Sequence, residues 1–119
     1  MQETEWDILR VLWRRGEATA REVTDELAES RGWAMSTVRT MLERMRDKDL
    51  VRGRRVGKTW VYAPAHEEVE AQRSAWQRFS DTVFDGTAGA LRFLAQDAKL
   101  TKRQRERLRA LLDEESGDV

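Results

Sequence analysis

Apolar residues recur at every third or fourth position along most of the chain, and this period predicts α-helices. The first helix is expected over about residues 5–15, where Gly16 supplies the residue type that most easily ends a helix. Its core face consists of four apolar residues that fall on one side: Trp6, Leu9, Leu12 and Trp13.

Two further helices are predicted before residue 50. Thr19, with Glu22 three positions later, has the spacing of a capping box, which predicts a helix that starts there and ends near Arg31. Ser36 is expected to cap the third helix. The core face of this third helix is apolar and consists of Val38, Met41, Leu42 and Met45.

A β-prone pattern replaces the helical period between residues 50 and 62. The segments 50–52 and 59–62 are rich in apolar and β-branched residues, and Gly53 and Gly57 flank the predicted turn. Pro64 closes this unit and marks the expected boundary between residues 1–64 and residues 65–119. Three helices followed by a hairpin predict a winged helix-turn-helix domain over residues 1–64.

The second half of the chain is predicted to contain helices and no strand. Helices are expected over residues 67–85 and 87–96, with Gly86 between them, and Thr101 with Gln104 forms a second capping box that opens a last helix. The final residues, 114–119, are expected to fray. The predicted fold class is therefore mainly α with a small β-hairpin, a winged helix-turn-helix domain followed by a C-terminal helical dimerisation region.

These C-terminal helices carry more apolar surface than a region of 55 residues can hide by itself. We therefore expect a homodimer, and the alternative is that the helices fold back on their own winged helix. The residues predicted to form the dimer interface are apolar: Trp76, Phe79, Val83, Leu91, Leu94, Leu108, Leu111 and Leu112.

Basic residues are concentrated in the predicted third helix and hairpin. Residues 36–62 contain eight Lys or Arg and three Asp or Glu, a net charge of +5 in a chain whose total is zero. The local field, rather than the total charge, determines where a polyanion binds. A helix followed by a basic β-ribbon is the arrangement with which winged helices contact DNA.

Candidate DNA-binding residues follow from this placement. On the third helix, small hydroxyls allow close approach to the groove, and arginine can pair with guanine through two hydrogen bonds. The alternatives are an ordinary solvated helix face and, in the hairpin, charges that protect an exposed sheet edge. The candidates are Ser36, Thr37, Arg39, Thr40 and Arg44 in the helix, and Arg52, Arg54, Arg55 and Lys58 in the hairpin.

The composition excludes several other classes of protein. The chain has no cysteine, no Gly-rich phosphate loop and no HExxH motif, so neither an enzyme nor a bound metal or cofactor is expected. The lone histidine, His66, precedes acidic residues at a helix start. We interpret His66 and these acidic residues as a solvent-exposed cluster at the helix N-terminus and not as a metal site. No apolar stretch approaches the ~20 residues that span a bilayer, so we expect a cytoplasmic protein without membrane insertion.

An ordered set of residues along nearly the whole chain resembles the BlaI/MecI/CopY repressors, the penicillinase repressor family. The matching positions in the first half are Glu5-Trp6-Asp7, Leu12-Trp13, Ser36 to Thr40, Leu42, Arg44, Lys48, Leu50-Val51 and Val61-Tyr62. In the second half they are Phe79, Phe84, Gly86, Leu91 and residues 108–113.

The resemblance implies a homodimeric repressor that binds a palindromic, dyad-symmetric DNA operator. It also implies a β-lactam-responsive circuit, in which a membrane sensor protease triggers cleavage of the repressor. Two departures bear on the signal: the chain contains no asparagine, so it lacks the Asn–Phe bond cut in known members, and it lacks the cysteines of copper-responsive members. Two alternative functions are a winged-helix interaction scaffold and a repressor that binds a small ligand near Trp13, Trp60 and Trp76.

Overall fold

The computed structural model describes residues 1–117, which form six α-helices and one three-stranded antiparallel sheet. Two compact units make up the chain, the first ending at Ala75 and the second beginning at Trp76. The elements are α1 (Glu3–Arg15), β1 (Ala18–Thr19), α2 (Ala20–Glu26), α3 (Met35–Asp47), β2 (Val51–Val56), β3 (Thr59–Pro64), α4 (Glu68–Val83), α5 (Thr87–Gln96) and α6 (Lys102–Gly117).

The predicted helix signals at Gly16 and Thr19 are confirmed. Gly16 adopts a left-handed φ of 87° and donates its N–H to the carbonyl of Leu12 at 2.7 Å. The hydroxyl of Thr19 accepts the Glu22 N–H at 3.2 Å, and the Glu22 carboxylate accepts the Thr19 N–H at 2.9 Å. This reciprocal pair fixes the start of α2 immediately after β1.

Two predicted helix boundaries are wrong. Helix α2 ends at Glu26 instead of near Arg31, because the chain turns at Leu27, whose carbonyl accepts N–H groups from both Arg31 and Gly32. Helix α3 begins two residues earlier than predicted, with Ala34 as its N-cap, so Ser36 lies inside the first turn and does not cap it.

The hairpin is longer than predicted and is joined by a third strand. Strand β3 lies between β1 and β2, and Val56 pairs with Thr59 across a two-residue turn in which Gly57 has a φ of 64°. Gly53 was placed at the turn by the sequence but lies within β2, where a Cβ would stand 3.2 Å from the Trp60 ring. Strand β1 was not predicted.

The core of the first unit is formed where α1, α2 and α3 meet the base of the sheet. The predicted residues Leu9 and Leu12 are buried, as are two neighbours that the prediction omitted, Ile8 and Val11. The remaining buried core residues are Ala18, Val23, Leu27, Val38, Leu42, Met45, Val51 and Tyr62. The three helices are thus held against the sheet by one continuous apolar cluster.

The second unit contains a chain of four aromatic rings around the turn between α4 and α5. Neighbouring ring centroids are 6.5 Å apart for Trp76 and Phe79, 5.7 Å for Phe79 and Phe84, and 5.0 Å for Phe84 and Phe93. Gly89 approaches this turn so closely that an added Cβ would stand 2.2 Å from the Phe84 carbonyl oxygen.

Helix α6 starts at the second predicted capping box. The Thr101 hydroxyl accepts the Gln104 N–H at 3.1 Å, and the Gln104 side chain accepts the Thr101 N–H at 3.0 Å, which confirms that prediction. Residues 114–117, which were expected to fray, belong to helix α6, which ends at Gly117. The prediction for positions 118–119 lies outside the described residues.

Candidate nucleic-acid interface

Helix α3 separates an apolar face from a polar one. Val38, Leu42 and Met45 are at most 1% exposed and pack into the core, because they recur on the inner side of the helix. The five predicted DNA-binding residues of this helix are all exposed: Ser36, Thr37, Arg39, Thr40 and Arg44. The helix therefore presents hydroxyl and guanidinium groups from a rigid, well-packed base.

The four predicted cations of the hairpin are also exposed, and they lie on both of its faces. Arg55 pairs with Trp60 across the two strands, which puts these two side chains on the same face. Arg52 and Arg54 alternate to the other face, and Lys58 lies in the turn itself. Both faces of the hairpin therefore carry an exposed cation that could contact a polyanion.

Ion pairing divides the basic residues of the first unit into two groups. Four arginines outside the predicted interface are neutralised by nearby carboxylates, in the pairs Arg10–Asp7, Arg14–Glu26, Arg15–Glu22 and Arg31–Asp7. Within residues 1–117, the following predicted interface cations make no salt bridge: Arg39, Arg44, Arg52, Arg55 and Lys58.

Arg54 departs from that pattern. One of its guanidinium nitrogens donates to both carboxylate oxygens of Glu17, at 2.8 and 2.9 Å. Glu17 lies between α1 and β1, so the pair connects the hairpin to the rest of the first unit. Both side chains are more than half exposed, and this places the pair within reach of water and of a competing anion.

A stacked contact joins α3 to the hairpin. The Arg46 guanidinium lies 5.1 Å from the centre of the Trp60 ring, a cation–π distance, and the same ring covers Gly53. Trp60 remains 40% exposed. The stack fixes the angle between the hairpin and α3, which is the angle that any DNA contact by both elements would depend on.

A buried carboxylate holds the other end of α3. Glu5 on α1 is 5% exposed and accepts hydrogen bonds from the Gln2 N–H at 2.8 Å and from the Lys48 ammonium at 2.7 Å. Burial by itself raises the pKa of Glu5, but the bond from Lys48, the bond from Gln2 and the charge of Lys48 together lower that pKa below its ordinary value of 4.5. Because Lys48 directly follows α3, this pair ties the helix to α1.

A cleft of about 530 Å³ opens between the start of α2, helix α3 and strand β3. Its lining includes three cations, Arg21, Arg39 and Lys58, and one carboxylate, that of Glu43. Trp60 and Tyr62 form an aromatic wall. Arg21 was not among the predicted residues, although its position at the exposed start of a capped helix was a signal that could have found it.

Tyr62 is a buried residue in the lining of this cleft. Its side chain is 2% exposed, and burial raises the pKa of its hydroxyl above the ordinary value of 10.0, while the charges of Arg46 and Arg39 oppose that rise. The hydroxyl therefore stays protonated at neutral pH and is a neutral hydrogen-bonding group beside two guanidinium groups.

A second cleft, of about 620 Å³, is lined by Trp13, Arg14 and residues 64–68. The Trp13 indole donates to the carbonyl oxygen of His66 at 2.9 Å and packs against Trp6 with ring centroids 5.8 Å apart. Trp60 lies instead on Arg46 and Gly53 and lines the other cleft, so Trp13 and Trp60 belong to two different clefts.

Two further features of the described chain concern metals and membranes. Within residues 1–117, no three acidic or histidine side chains are grouped closely enough to hold a metal ion. None of the helices in the same range has both the length and the apolar character required to cross a bilayer.

Similarity to known proteins agrees with this geometry. Residues 1–114 match the penicillinase repressor family. The methicillin resistance regulatory protein MecI of Mammaliicoccus sciuri is 23% identical over 114 residues, which cover 95% of this chain and 93% of that protein. An uncharacterised 16.5 kDa protein of Latilactobacillus sakei is 30% identical over 74 residues, 62% of this chain, and this match spans about half (51%) of that protein.

Among solved structures, the solution structure of the Bacillus licheniformis BlaI monomeric form, in complex with the blaP half-operator, superimposes with a TM-score of 0.51. It is 27% identical in sequence and covers 59% of this chain and 85% of that one. This structural similarity confirms the predicted winged-helix fold class. The match of residues 1–114 to the family confirms the resemblance to the penicillinase repressors. The chain therefore belongs to the penicillinase repressor family, whose members are DNA-binding transcriptional repressors and not enzymes.

Proposed function

We propose that this protein represses transcription as a homodimer bound to a dyad-symmetric operator. The observation that carries the proposal is the concentration of cations on α3 and the hairpin, where every predicted interface cation except Arg54 lacks a carboxylate partner within the described part of the chain. Such a surface attracts phosphates, whereas an interaction scaffold has no need to leave these cations unpaired.

Helix α3 is the proposed recognition helix. Thr40 and Arg44 lie on its exposed side together with Ser36 and Thr37, and these side chains are suited to the floor of a major groove. In the hairpin, Arg52, Arg55 and Lys58 are proposed to contact phosphates, and such contacts contribute affinity without sequence preference.

The second unit is proposed to join the two protomers. Apolar side chains of this unit that are at least 42% exposed include Trp76, Phe79, Val83, Leu91, Leu111 and Leu112. Leu94 and Leu108 are partly covered and complete the proposed interface. Exposed apolar groups in this number usually mark an interface, and a two-fold axis would space two recognition helices for two half-sites. The BlaI structure on a half-operator agrees with an operator made of two halves.

We further propose that the operator belongs to a β-lactam-responsive circuit, a proposal supported by the family and by the relation to MecI. The segment 91–95, which the family resemblance aligns with the cleavage region of known members, lies within helix α5 and offers Arg92–Phe93 or Leu94–Ala95 in place of Asn–Phe. A sensor protease would have to unwind this helix and accept another bond. Immunoblots of a producing strain exposed to a β-lactam test this directly, since an intact chain after induction contradicts proteolytic release.

Selection from fragmented genomic DNA at near-physiological salt tests the repressor proposal. We expect an enriched dyad-symmetric motif, and we expect Arg44→Ala to relax its sequence preference by about 1–3 kcal/mol per lost base contact. Binding without an enriched motif would instead favour a nonspecific or scaffolding role.

Sedimentation of charged variants tests the dimer. Trp76→Lys and Leu112→Lys place a charge on the exposed apolar surface, and Gln77→Lys places the same charge on the polar side of α4 as the matched control. We expect the first two variants to sediment as monomers and the control as a dimer. A dimer mass for all three variants would exclude this interface.

A further inference from the structure

The cleft between α3 and the hairpin combines features that suit one chemical group. Three cations of different elements, Arg21 of α2, Arg39 of α3 and Lys58 of the turn, line it beside the single carboxylate of Glu43. Among the described residues none of the three cations makes a salt bridge, so their charge is available to a ligand. A site with an excess of two positive charges favours a polyanion over a neutral ligand.

The remaining lining makes the cleft suitable for a sugar–phosphate strand. The half-exposed ring of Trp60 provides an apolar wall, and Thr59 provides a hydroxyl on the same strand. In such a lining an aromatic side chain can contact a deoxyribose while neighbouring cations contact its phosphates. The arrangement is rigid, because the Trp60 ring is held over Gly53 by the Arg46 guanidinium.

We propose that this cleft holds the backbone of one DNA strand, with Arg21, Arg39 and Lys58 as its phosphate ligands. This inference rests on the proposed function. It adds Arg21, which belongs to neither the recognition helix nor the hairpin, and it gives Arg39 a phosphate contact in place of a base contact. Arg44, which does not line the cleft, keeps the base-reading role.

The two roles predict different responses to mutation. Arg21→Ala and Arg39→Ala lower affinity by the same factor for the enriched operator and for an unrelated duplex, about fivefold for one phosphate contact. The slope of log K against log salt decreases by about 0.9 for each variant, because one counterion fewer is released. Arg44→Ala lowers affinity mainly for the operator.

The experiment is a fluorescence anisotropy titration of the full-length protein with two 30-base-pair duplexes between 50 and 300 mM salt. Arg73→Ala is the matched control, since Arg73 is an exposed arginine of the first unit outside the cleft and makes no salt bridge with the described residues. Arg21→Lys retains the charge and is expected to restore the wild-type slope. A lost side-chain packing contact would not be restored in this way.

Single methylphosphonate substitutions along the operator then locate the contacts. Replacing one phosphate by a neutral methylphosphonate is expected to weaken binding by the wild type wherever the protein contacts that phosphate. Positions at which the replacement does not weaken binding by Arg21→Ala or Lys58→Ala identify the phosphates that those two residues contact. We expect both sets on one strand, within a few nucleotides of each other. Partners on opposite strands, or an Arg21→Ala variant that binds like the wild type, would overturn the cleft proposal while the repressor proposal stands. Absence of DNA binding by the wild type would overturn both.

Discussion

Replacing Glu5 by glutamine tests how strongly α1 holds the recognition helix. Glutamine keeps the shape of the side chain and can still accept the Gln2 N–H, but its amide loses the charge that attracts the Lys48 ammonium 2.7 Å away. A hydrogen bond to a charged group contributes about 1.5–3 kcal/mol. Since the Lys48 side chain is 52% exposed and partly solvated, we expect a loss nearer to 1–2 kcal/mol.

Urea denaturation followed by tryptophan fluorescence measures this loss. Four of the five tryptophans (Trp6, Trp13, Trp33 and Trp60) lie before residue 76, so the signal reports mainly on the first unit. In a thermal experiment the same loss corresponds to a decrease in Tm of about 4–8 °C per kcal/mol for a domain of this size. Glu3→Gln is the matched control, because the Glu3 side chain is 88% exposed.

The dependence on pH gives a second, independent test. The folded state lowers the pKa of Glu5 below 4.5, so the carboxylate stabilises the fold above the unfolded-state pKa. This contribution is lost as the pH falls through the lower, folded-state pKa. The stability difference between wild type and Glu5→Gln is therefore greatest near pH 7 and shrinks in acid. Equal stabilities at pH 7, or a difference that persists in acid, would refute the argument.

Three further changes have defined outcomes. Glu17→Gln releases Arg54 and removes a carboxylate beside the proposed DNA-binding surface. Affinity for any duplex should therefore rise about two- to fivefold in anisotropy titrations, because an exposed ion pair contributes about 0.5–1 kcal/mol. Gly89→Ala places a Cβ 2.2 Å from the Phe84 carbonyl oxygen and should destabilise the second unit by about 1–3 kcal/mol in calorimetry. Thr19→Ala removes the cap of α2 and should cost about 1 kcal/mol in urea denaturation.

Each of these outcomes has a contrary result. A lower DNA affinity for Glu17→Gln would mean that the carboxylate positions Arg54 for contact instead of competing with DNA for it. An unchanged calorimetric transition for Gly89→Ala would show that the turn at Phe84 can move aside. For Thr19→Ala, unchanged stability would mean that the pairing of β1 with β3 is sufficient to start α2.

Most features set by neighbouring residues in the chain, although not the N-cap of α3, were predictable from the sequence, and the contacts between distant residues were not. The caps at Gly16, Thr19 and Thr101 depend on residues at most four positions away, and all three are confirmed. Strand β1 has only two residues and exists because Ala18 and Thr19 pair with β3 more than forty positions later. A segment this short has no periodicity of its own to reveal it.

The same distinction applies to the candidate site. An exposed face on α3 could be placed on a helical wheel, and the structure leaves those side chains exposed. The pairing of Arg54 with Glu17 depends on how separate elements pack, so composition and spacing gave no sign of it. Burial of Glu5 was likewise hidden, because its partner Lys48 follows 43 positions later.

The chain has zero net charge, and the separation of paired from unpaired cations gives its first unit an electric dipole. A DNA duplex exerts little net force on such a molecule at a distance, but its field exerts a torque that turns the unpaired cations toward the phosphates. Since salt screens that field within about 8 Å under physiological conditions, the torque acts only over the last few layers of water. Orientation is therefore decided in the encounter complex, where the field of the duplex turns the unpaired cations toward its phosphates.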